Sequence, residues 1–357
     1  MRDYNNKTIY LGIDVHKKSY SITAICEGEI IKSDKLKGDP EAIVNYCRRF
    51  FPNARFVSAY EAGFCGFYLH RFLTNNDFEN LVVHPASIEI GSRDRVKTDK
   101  RDSLKIATQL SVGRLKSIHI PSEDQEYDRL ITRSRDSLVK KRTRAACQIK
   151  SLLHLFGLIT WDNNLKMSAK FIQNILVIEV HPSLKFCLEI LCKQWLEITN
   201  DIKRIDKHLK TQHSDLLEIY LSIPGIGPTT ARILINELGD MSQFSNECQL
   251  FSYTGLTPSQ YSSGEAKRLG HISHQGKSVF RKILVESAWT AVRYDESLTN
   301  YYERLAIRTG SKRAIVAVAR KLLGRARACI QNKILYQTKS GESVNVETGE
   351  IIQVSSL

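Results

Sequence analysis

Residues 8–14, Thr-Ile-Tyr-Leu-Gly-Ile-Asp, form a short apolar run that stops on an acid. A run of this length and composition reads as a buried strand. Working outward, Ser19 to Cys26 is β-prone and partly alternating, Glu27-Gly28-Glu29 reads as a turn, and Ile30-Ile31 begin a third strand. Asp39-Pro40-Glu41 has the form of a helix start, with Asp as N-cap and Pro at the first helical position. Arg55 to Tyr60 reads as a fourth strand and runs straight into Glu61-Ala62-Gly63. A helix is expected over Gly66 to Asn75, then a short strand at Leu81-Val82-Val83 ended by His84-Pro85, then a helix from Thr98 to about Leu110. Three strands followed by alternating helices and strands predict an α/β layer architecture.

The chain has 357 residues, enough for two or three domains at roughly 100–200 residues each. A hydrophobic share of 42% excludes disorder as the main state. No uninterrupted apolar stretch reaches the roughly 18 residues of a membrane span, so no membrane is expected among the partners. Met1 to Lys7 is polar, and the apolar run behind it lacks a small-residue cleavage site, so it does not read as a signal peptide. Cys26, Cys47, Cys65, Cys147, Cys187, Cys192, Cys248 and Cys329 form no Cys-x-x-Cys pair. That scatter suits reduced thiols in a cytoplasm. Lys and Arg number 52 against 38 Asp and Glu, a net charge of +14. Such a surplus favours a polyanionic partner through counterion release.

The character changes near residue 122. From there to about 215 long charged segments carry apolar residues at helical spacing, interrupted by the Trp161-Asp162-Asn163-Asn164 loop and Pro182. Two long helices joined by a loop predict an antiparallel or coiled-coil arm. Its first helix carries Arg129, Arg133, Arg135, Lys140, Lys141, Arg142, Arg144 and Lys150, read as an exposed, nearly one-signed nucleic-acid face. Its second carries an apolar stripe, Leu184, Leu188, Leu191, Trp195 and Ile198, read as an oligomer contact. Pro224-Gly225-Ile226-Gly227-Pro228 forces a tight turn between helices, of the kind found in helix-hairpin-helix modules. Helices are expected over most of 245–330, with a loop from Thr257 to Gly276. The resulting division is 1–121, an α/β domain; 122–215, the basic arm; 216–335, a mainly helical domain; and 336–357, a tail.

Four acids carry the chemical reading. Asp14 ends the first strand and Glu61 the fourth, while Asp99 and Asp102, three apart at a helix start, share one side. Strand ends beside a helix make a natural crevice in an open sheet. Four carboxylates gathered there repel one another unless cations neutralise them. Oxygen ligation suits Mg2+, or Mn2+ in its place, and such ions serve phosphodiester chemistry.

Gly12-Ile13-Asp14-Val15-His16-Lys17, Tyr60-Glu61-Ala62-Gly63 and Lys97-Thr98-Asp99-Lys100-Arg101-Asp102 resemble the blocks of the DEDD insertion-sequence transposases, the IS110 family, which are related to the Piv DNA invertases. Pro224 to Ala231, Phe251 to Pro258, Tyr261 to Gly264, Arg268 to Ser273 and Gly276-Lys277 with Arg281-Lys282 are similar to the family's second domain. The resemblance spans roughly 8–112 and 215–330. It implies an RNase H-like, RuvC-like first domain, with Asp14, Glu61, Asp99 and Asp102 as the metal-binding tetrad. It also implies a serine nucleophile, best matched by Ser263, with Ser262 its alternative.

A serine on a glycine-containing loop approaches a phosphate closely, and Lys267, Arg268, Lys277 and Arg281 lie near it in sequence to balance phosphate charge. Tyr253 and Tyr261 lack the Arg and His set of a tyrosine recombinase. Among the histidines His16 stands apart by position, two residues after Asp14, with contact to metal or phosphate open to it. The expected function is transposition or site-specific recombination. Following the resemblance, the partners are donor and target DNA, a structured bridge RNA that pairs with both, and further copies of the chain in a dimer or tetramer. The alternatives are a RuvC-like endonuclease for branched DNA that uses water in place of serine, and a non-catalytic nucleic-acid-binding protein.

Overall fold

The computed structural model describes residues 3–89, 98–160, 165–212, 214–263, 266–273, 275–337, 343–344 and 351–352, with backbone alone at 261–263, 266–269 and the last two pairs. The chain divides between Pro121 and Ser122 into two compact units.

The first unit is built on β1 (Thr8–Val15), β2 (Ser19–Cys26), β3 (Glu29–Lys37), β4 (Arg55–Glu61) and β5 (Phe78–Val83), in the order β3-β2-β1-β4-β5. β1, β2 and β3 form an antiparallel meander, and β4 and β5 add in parallel to β1. Parallel addition needs a crossover, and helices α1 (Pro40–Phe50) and α2 (Tyr68–Thr74) supply it. Asp39 caps α1, its Oδ1 accepting the Glu41 N–H at 3.2 Å. Alternation sends Ile9, Leu11, Ile13, Ile22 and Tyr60 to one face, where they pack with Ile43, Cys47, Leu69 and Leu73. On the opposite face Val57, Ala59 and Val83 pack with Ile106 and Leu110 of α3 (Asp99–Ser111). The sheet is thus sandwiched between helices. The third strand is longer than Ile30-Ile31 suggests, because Lys32 to Lys37 continues the pairing with β2 even though its side chains are mostly polar. α2 is shorter than Gly66 to Asn75, because Gly66 at φ +54° belongs to the preceding turn.

The second unit begins with α4 (Glu123–Leu155), α5 (Ala169–Val177) and α6 (Pro182–Thr211). Arg135 near the start of α4 binds Asp206 near the end of α6 at 2.5 Å, while Ile149 and Leu153 pack with Leu184 and Leu188, so the two long helices are antiparallel. The loop Trp161 to Asn164 lies outside the described residues. α5, which the sequence reading leaves out, adds Ile172 and Ile175 to the core that the long helices share. The expected oligomer stripe is largely used internally: Leu184, Leu188 and Trp195 are buried with Ala145, Ile149, Ile172 and Ile175, and Leu191 packs at their edge.

Next come α7 (Leu216–Ser222), α8 (Pro228–Leu238), α9 (Glu247–Tyr253), β6 (Pro258–Ser263), β7 (Ala266–Ile272), α10 (Ser278–Tyr294), α11 (Glu296–Thr309) and α12 (Ser311–Asn332). Between α7 and α8, Gly225 sits at φ +82°, and a Cβ there would lie 2.2 Å from the Ser287 carbonyl of α10. No other residue type fits that turn without displacing a helix. Thr257 to Gly276, expected as a loop, contains the antiparallel hairpin β6–β7 with Ser263 opposite Ala266. Its many polar residues conceal the strand period. Tyr336, assigned to the tail by sequence, belongs to the core: its hydroxyl donates to Asp295 and its N–H donates to Ser222 Oγ at 2.8 Å. Of the rest of the tail, β8 (Ser343–Val344) and β9 (Ile351–Ile352) form a short antiparallel pair.

The basic face of α4 needs correction at one position above all. Arg129 is buried, its Nε donating to the Asn236 carbonyl and its Nη2 to the Glu237 carbonyl, both at 3.0 Å. It thereby satisfies two carbonyls at the end of α8, which a helix end leaves without partners. Glu237 itself is 3% exposed and accepts Arg133 through both oxygens, at 2.6 and 2.9 Å, and Lys277 at 2.5 Å. Burial alone would raise the Glu237 carboxyl; the bonds and charges of Arg133 and Lys277 outweigh it and hold the group below its ordinary value.

A carboxylate whose value is depressed on folding stabilises fully above its unfolded value, about 4.3 for glutamate, and loses that contribution as pH falls through the folded value. Glu237→Ala, which leaves Arg129 and Arg133 around an empty position, is expected to cost about 3 kcal/mol at pH 7. Urea unfolding should show that loss shrinking below pH 4, and an equal loss at pH 7 and pH 3 would contradict it.

Candidate metal centre

The centre starts from Gly12. A Cβ there would lie 2.1 Å from the Ser103 carbonyl oxygen and 2.3 Å from the Ala107 nitrogen. Only a bare glycine lets the backbone of α3 rest directly on β1. Ser103 secures the contact sideways, its hydroxyl 2.9 Å from that of Thr23 on β2 in a buried pair. Asp14 lies two residues beyond Gly12 on β1 and therefore on the same, α3-bearing face. The first turn of α3 then stands above it. Thr98 caps that turn, its Oγ1 accepting the Arg101 N–H, and the acids Asp99 and Asp102 sit where the helix dipole favours negative charge.

Asp14, His16 and Asp99 each offer a ligand atom, and these atoms all lie within 4.8 Å of one another. His16 Nε2 lies 3.1 Å from Asp14 Oδ2 and 3.3 Å from Asp99 Oδ1. Lys35 Nζ approaches Asp99 from the other carboxylate oxygen, Oδ2, at 3.2 Å. Burial pushes the Asp14 carboxyl above its ordinary value; His16 opposes the rise, while Asp99 and Asp102 add to it. Asp99 is held below its ordinary value, first by the Lys35 hydrogen bond and then by His16. The pair is thus polarised: a crowded, half-buried carboxylate beneath an exposed one that already holds a cation.

Of the four acids read from sequence, the structure brings Asp14 and Asp99 into this convergence. Glu61 follows Tyr60, which pairs with Ile13, so it stands beside Asp14 at the adjacent end of a parallel strand, exposed. Asp102 lies one turn along α3 and faces Lys105 at 3.6 Å. His16 joins the set as a close neighbour of two carboxylates. Lys35 is the residue the sequence reading missed. The signal was the register: Asp14 pairs with Ser21 and Ser21 with Lys35, a row that crosses three strands on one face. Ser21, Ser33, Asp34, Lys35, Thr98, Asp99 and Lys100 line an open groove beside the acids.

The expected partners of the serine are placed differently. Ser263 ends β6 at the hairpin turn, and the side chains of Ser262, Ser263, Lys267 and Arg268 lie outside the described set. Lys277 is taken by Glu237, and Arg281 Nη1 donates to the Gln275 carbonyl at 3.2 Å. On α4, Lys140 pairs with Asp136 one turn back at 2.6 Å, and Lys141 and Arg144 are exposed, with Arg142 half-buried.

An α/β sheet with acids at neighbouring strand ends, followed by a helical region, is consistent with an RNase H-like DEDD transposase, an enzyme acting on DNA in transposition and recombination. Two family profiles match. One, described as a DEDD transposase of IS110 type, covers residues 11–157, and the other, described as "Transposase IS116/IS110/IS902 family", covers 217–303. The chain belongs to the IS110 family of DEDD transposases. It is 29% identical to a putative transposase of Sinorhizobium fredii, over 79% of this chain and 71% of that protein. It is 30% identical to the transposase for insertion sequence element IS1111A of Coxiella burnetii, over 63% of this chain and 64% of that one. A second putative transposase of Sinorhizobium fredii is 26% identical, over 88% and 90%. Among the described residues no helix is long and apolar enough to cross a membrane.

The family implies a divalent metal ion, and the donor set fits one. Two carboxylates with oxygens within 4.8 Å of one another, beside a solvent-open groove, carry the charge that a dication neutralises. Asp14→Asn is therefore expected to raise the melting temperature in EDTA, because it removes a half-buried, repelled charge. Added Mn2+ should raise the melting temperature of the wild type and leave the variant nearly unmoved. A variant less stable than wild type in EDTA would contradict the polarised arrangement.

Proposed function

We propose that this transposase cuts and rejoins DNA strands using a divalent ion, Mg2+ or Mn2+, held by Asp14, Glu61, Asp99 and Asp102, and Ser263 as nucleophile. The observation that carries the reading is the meeting of Asp14 with Asp99 beneath α3, with Glu61 on the next strand end. A bound ion would supply charge stabilisation at the phosphate and its leaving oxygen. Asp14 and Asp99 would hold that ion at the sheet end, and Lys35 balances charge at the groove.

In the covalent step the Ser263 Oγ–P bond forms as the P–O bond to one sugar oxygen breaks. The serine proton is lost, and the leaving sugar oxygen gains one. The resulting protein–DNA phosphodiester keeps the bond energy, so a hydroxyl of another strand can displace the serine and rejoin the DNA without an external energy source. Lys267 and Arg268 lie on β7, the strand paired with the serine's, and bring positive charge to the hairpin, while Lys277 and Arg281 follow it, Lys277 held by Glu237 and Arg281 by the Gln275 carbonyl. Lys140, Lys141, Arg142 and Arg144 offer α4 to a polyanion, with Arg133 anchored by Glu237 beside them. Backbone contacts of this kind suit the shape of a structured bridge RNA as well as DNA. Strand exchange between two duplexes calls for several copies of the chain, a dimer or tetramer.

The serine lies in the second unit and the acids in the first, so a complete site is drawn from both, and we assign the two halves to different protomers. Mixing Ser263→Ala with Asp14→Ala protein should restore part of the recombination that neither variant performs alone, since some sites then hold both wild-type halves. No recovery, with subunit exchange demonstrated, would build the site within one chain. Undiminished recombination in excess EDTA would remove the metal. A covalent DNA adduct as abundant with Ser263→Ala as with wild type would move the nucleophile to Ser262, and no adduct with either protein would leave the attack to water.

A further inference from the structure

We propose that His16 is itself a ligand of the divalent ion, through Nε2, so that the centre is a mixed nitrogen–oxygen site. The inference rests on the metal reading above and deepens it. Its basis is geometric. Ligand atoms about 2.1 Å from one ion and at right angles around it are about 3 Å apart. His16 Nε2 lies 3.1 Å from one Asp14 oxygen and 3.3 Å from one Asp99 oxygen, which are the edges of such a polyhedron. The three atoms come from the end of β1, the turn after it and the first turn of α3.

The backbone holds the ring in place. The His16 N–H donates to the Ser19 carbonyl at 3.0 Å and closes the β1–β2 turn, so the imidazole projects from a fixed point. Lys35 leaves the correct atom free: it occupies Oδ2 of Asp99, while Oδ1 faces His16. As a ligand, Nε2 would offer its lone pair as a neutral donor beside the negative oxygens of Asp14 and Asp99.

A nitrogen donor changes which ion the site prefers. Imidazole suits transition ions such as Fe2+, Ni2+ and Zn2+, and Mn2+ accepts it more readily than Mg2+, which takes oxygen ligands. The competing account makes His16 a proton-bearing bridge that holds the carboxylates together and withdraws when an ion enters.

Pulsed EPR on Mn2+ bound to the full chain separates the two. Nitrogen-14 modulation from a directly bound imidazole is expected in the wild type. It should vanish in His16→Gln, in which Mn2+ still binds. Titration should show Mn2+ affinity falling at least about tenfold in that variant, the loss seen even for outer-shell partners of a metal, and the preference for Mn2+ over Mg2+ falling with it. Bound Mn2+ without nitrogen coupling in the wild type, or coupling and ion preference unchanged in His16→Gln, would overturn the assignment of His16 and leave the carboxylate site standing. Asp14→Asn is the arm for that underlying reading: Mn2+ binding indifferent to it would overturn both.

Discussion

The close approach of α3 to β1 at Gly12 governs the first unit. At Gly12 the Ser103 carbonyl and the Ala107 nitrogen lie where a Cβ would otherwise be. The consequence travels two residues along the strand. Asp14 shares the face of Gly12, so lowering the helix onto the glycine also lowers its first turn onto the aspartate. The acids meet because the backbone can, and the repulsion that follows is what a cation relieves. Asp14, raised chiefly by burial, and Asp99, lowered chiefly by its Lys35 hydrogen bond, meet there under opposite influences.

The second unit solves a different problem: how to join a long basic helix to a helical core. Arg129 and Arg133, one turn apart on α4, meet the end of α8 from the same side. One serves its carbonyls and the other its Glu237 carboxylate. Lys277, just before α10, closes on the same carboxylate from the far side of the hairpin. A buried carboxylate with several cations on it is costly to desolvate, and it rewards complete pairing. The same group thereby fixes α4, α8 and the exit of β7 relative to one another. The charge excess of α4 thus divides between residues that build the unit and residues further along, Lys140, Lys141 and Arg144, that face solvent.

Much of this was legible in the sequence, and the reasons for the gaps are physical. β1, β2, β4 and the Asp39-capped α1 were readable because local propensity and burial agree there. The placement of Asp14 and Glu61 at strand ends and of Asp99 and Asp102 on one helix turn followed from spacing alone. The meeting of Asp14 with Asp99 did not, because it depends on what a glycine lacks. Lys35 stayed hidden in a polar strand whose pairing is set by β2. Arg129 looked like any other base on a charged helix, since its burial depends on α8, more than a hundred residues away. The apolar stripe of α6, read as an oligomer contact, is covered instead by α4 and α5 of the same chain.

The central claim is that β1 and α3 supply one ion jointly. A double-mutant cycle on Mn2+ affinity tests it most directly, using Asp14→Asn, Asp99→Asn and the double variant in the full chain. Shared ligation predicts strong coupling: either single change removes most of the affinity, and the double variant binds little worse than either one. Losses that simply add would mean that the two carboxylates serve separate ions or none.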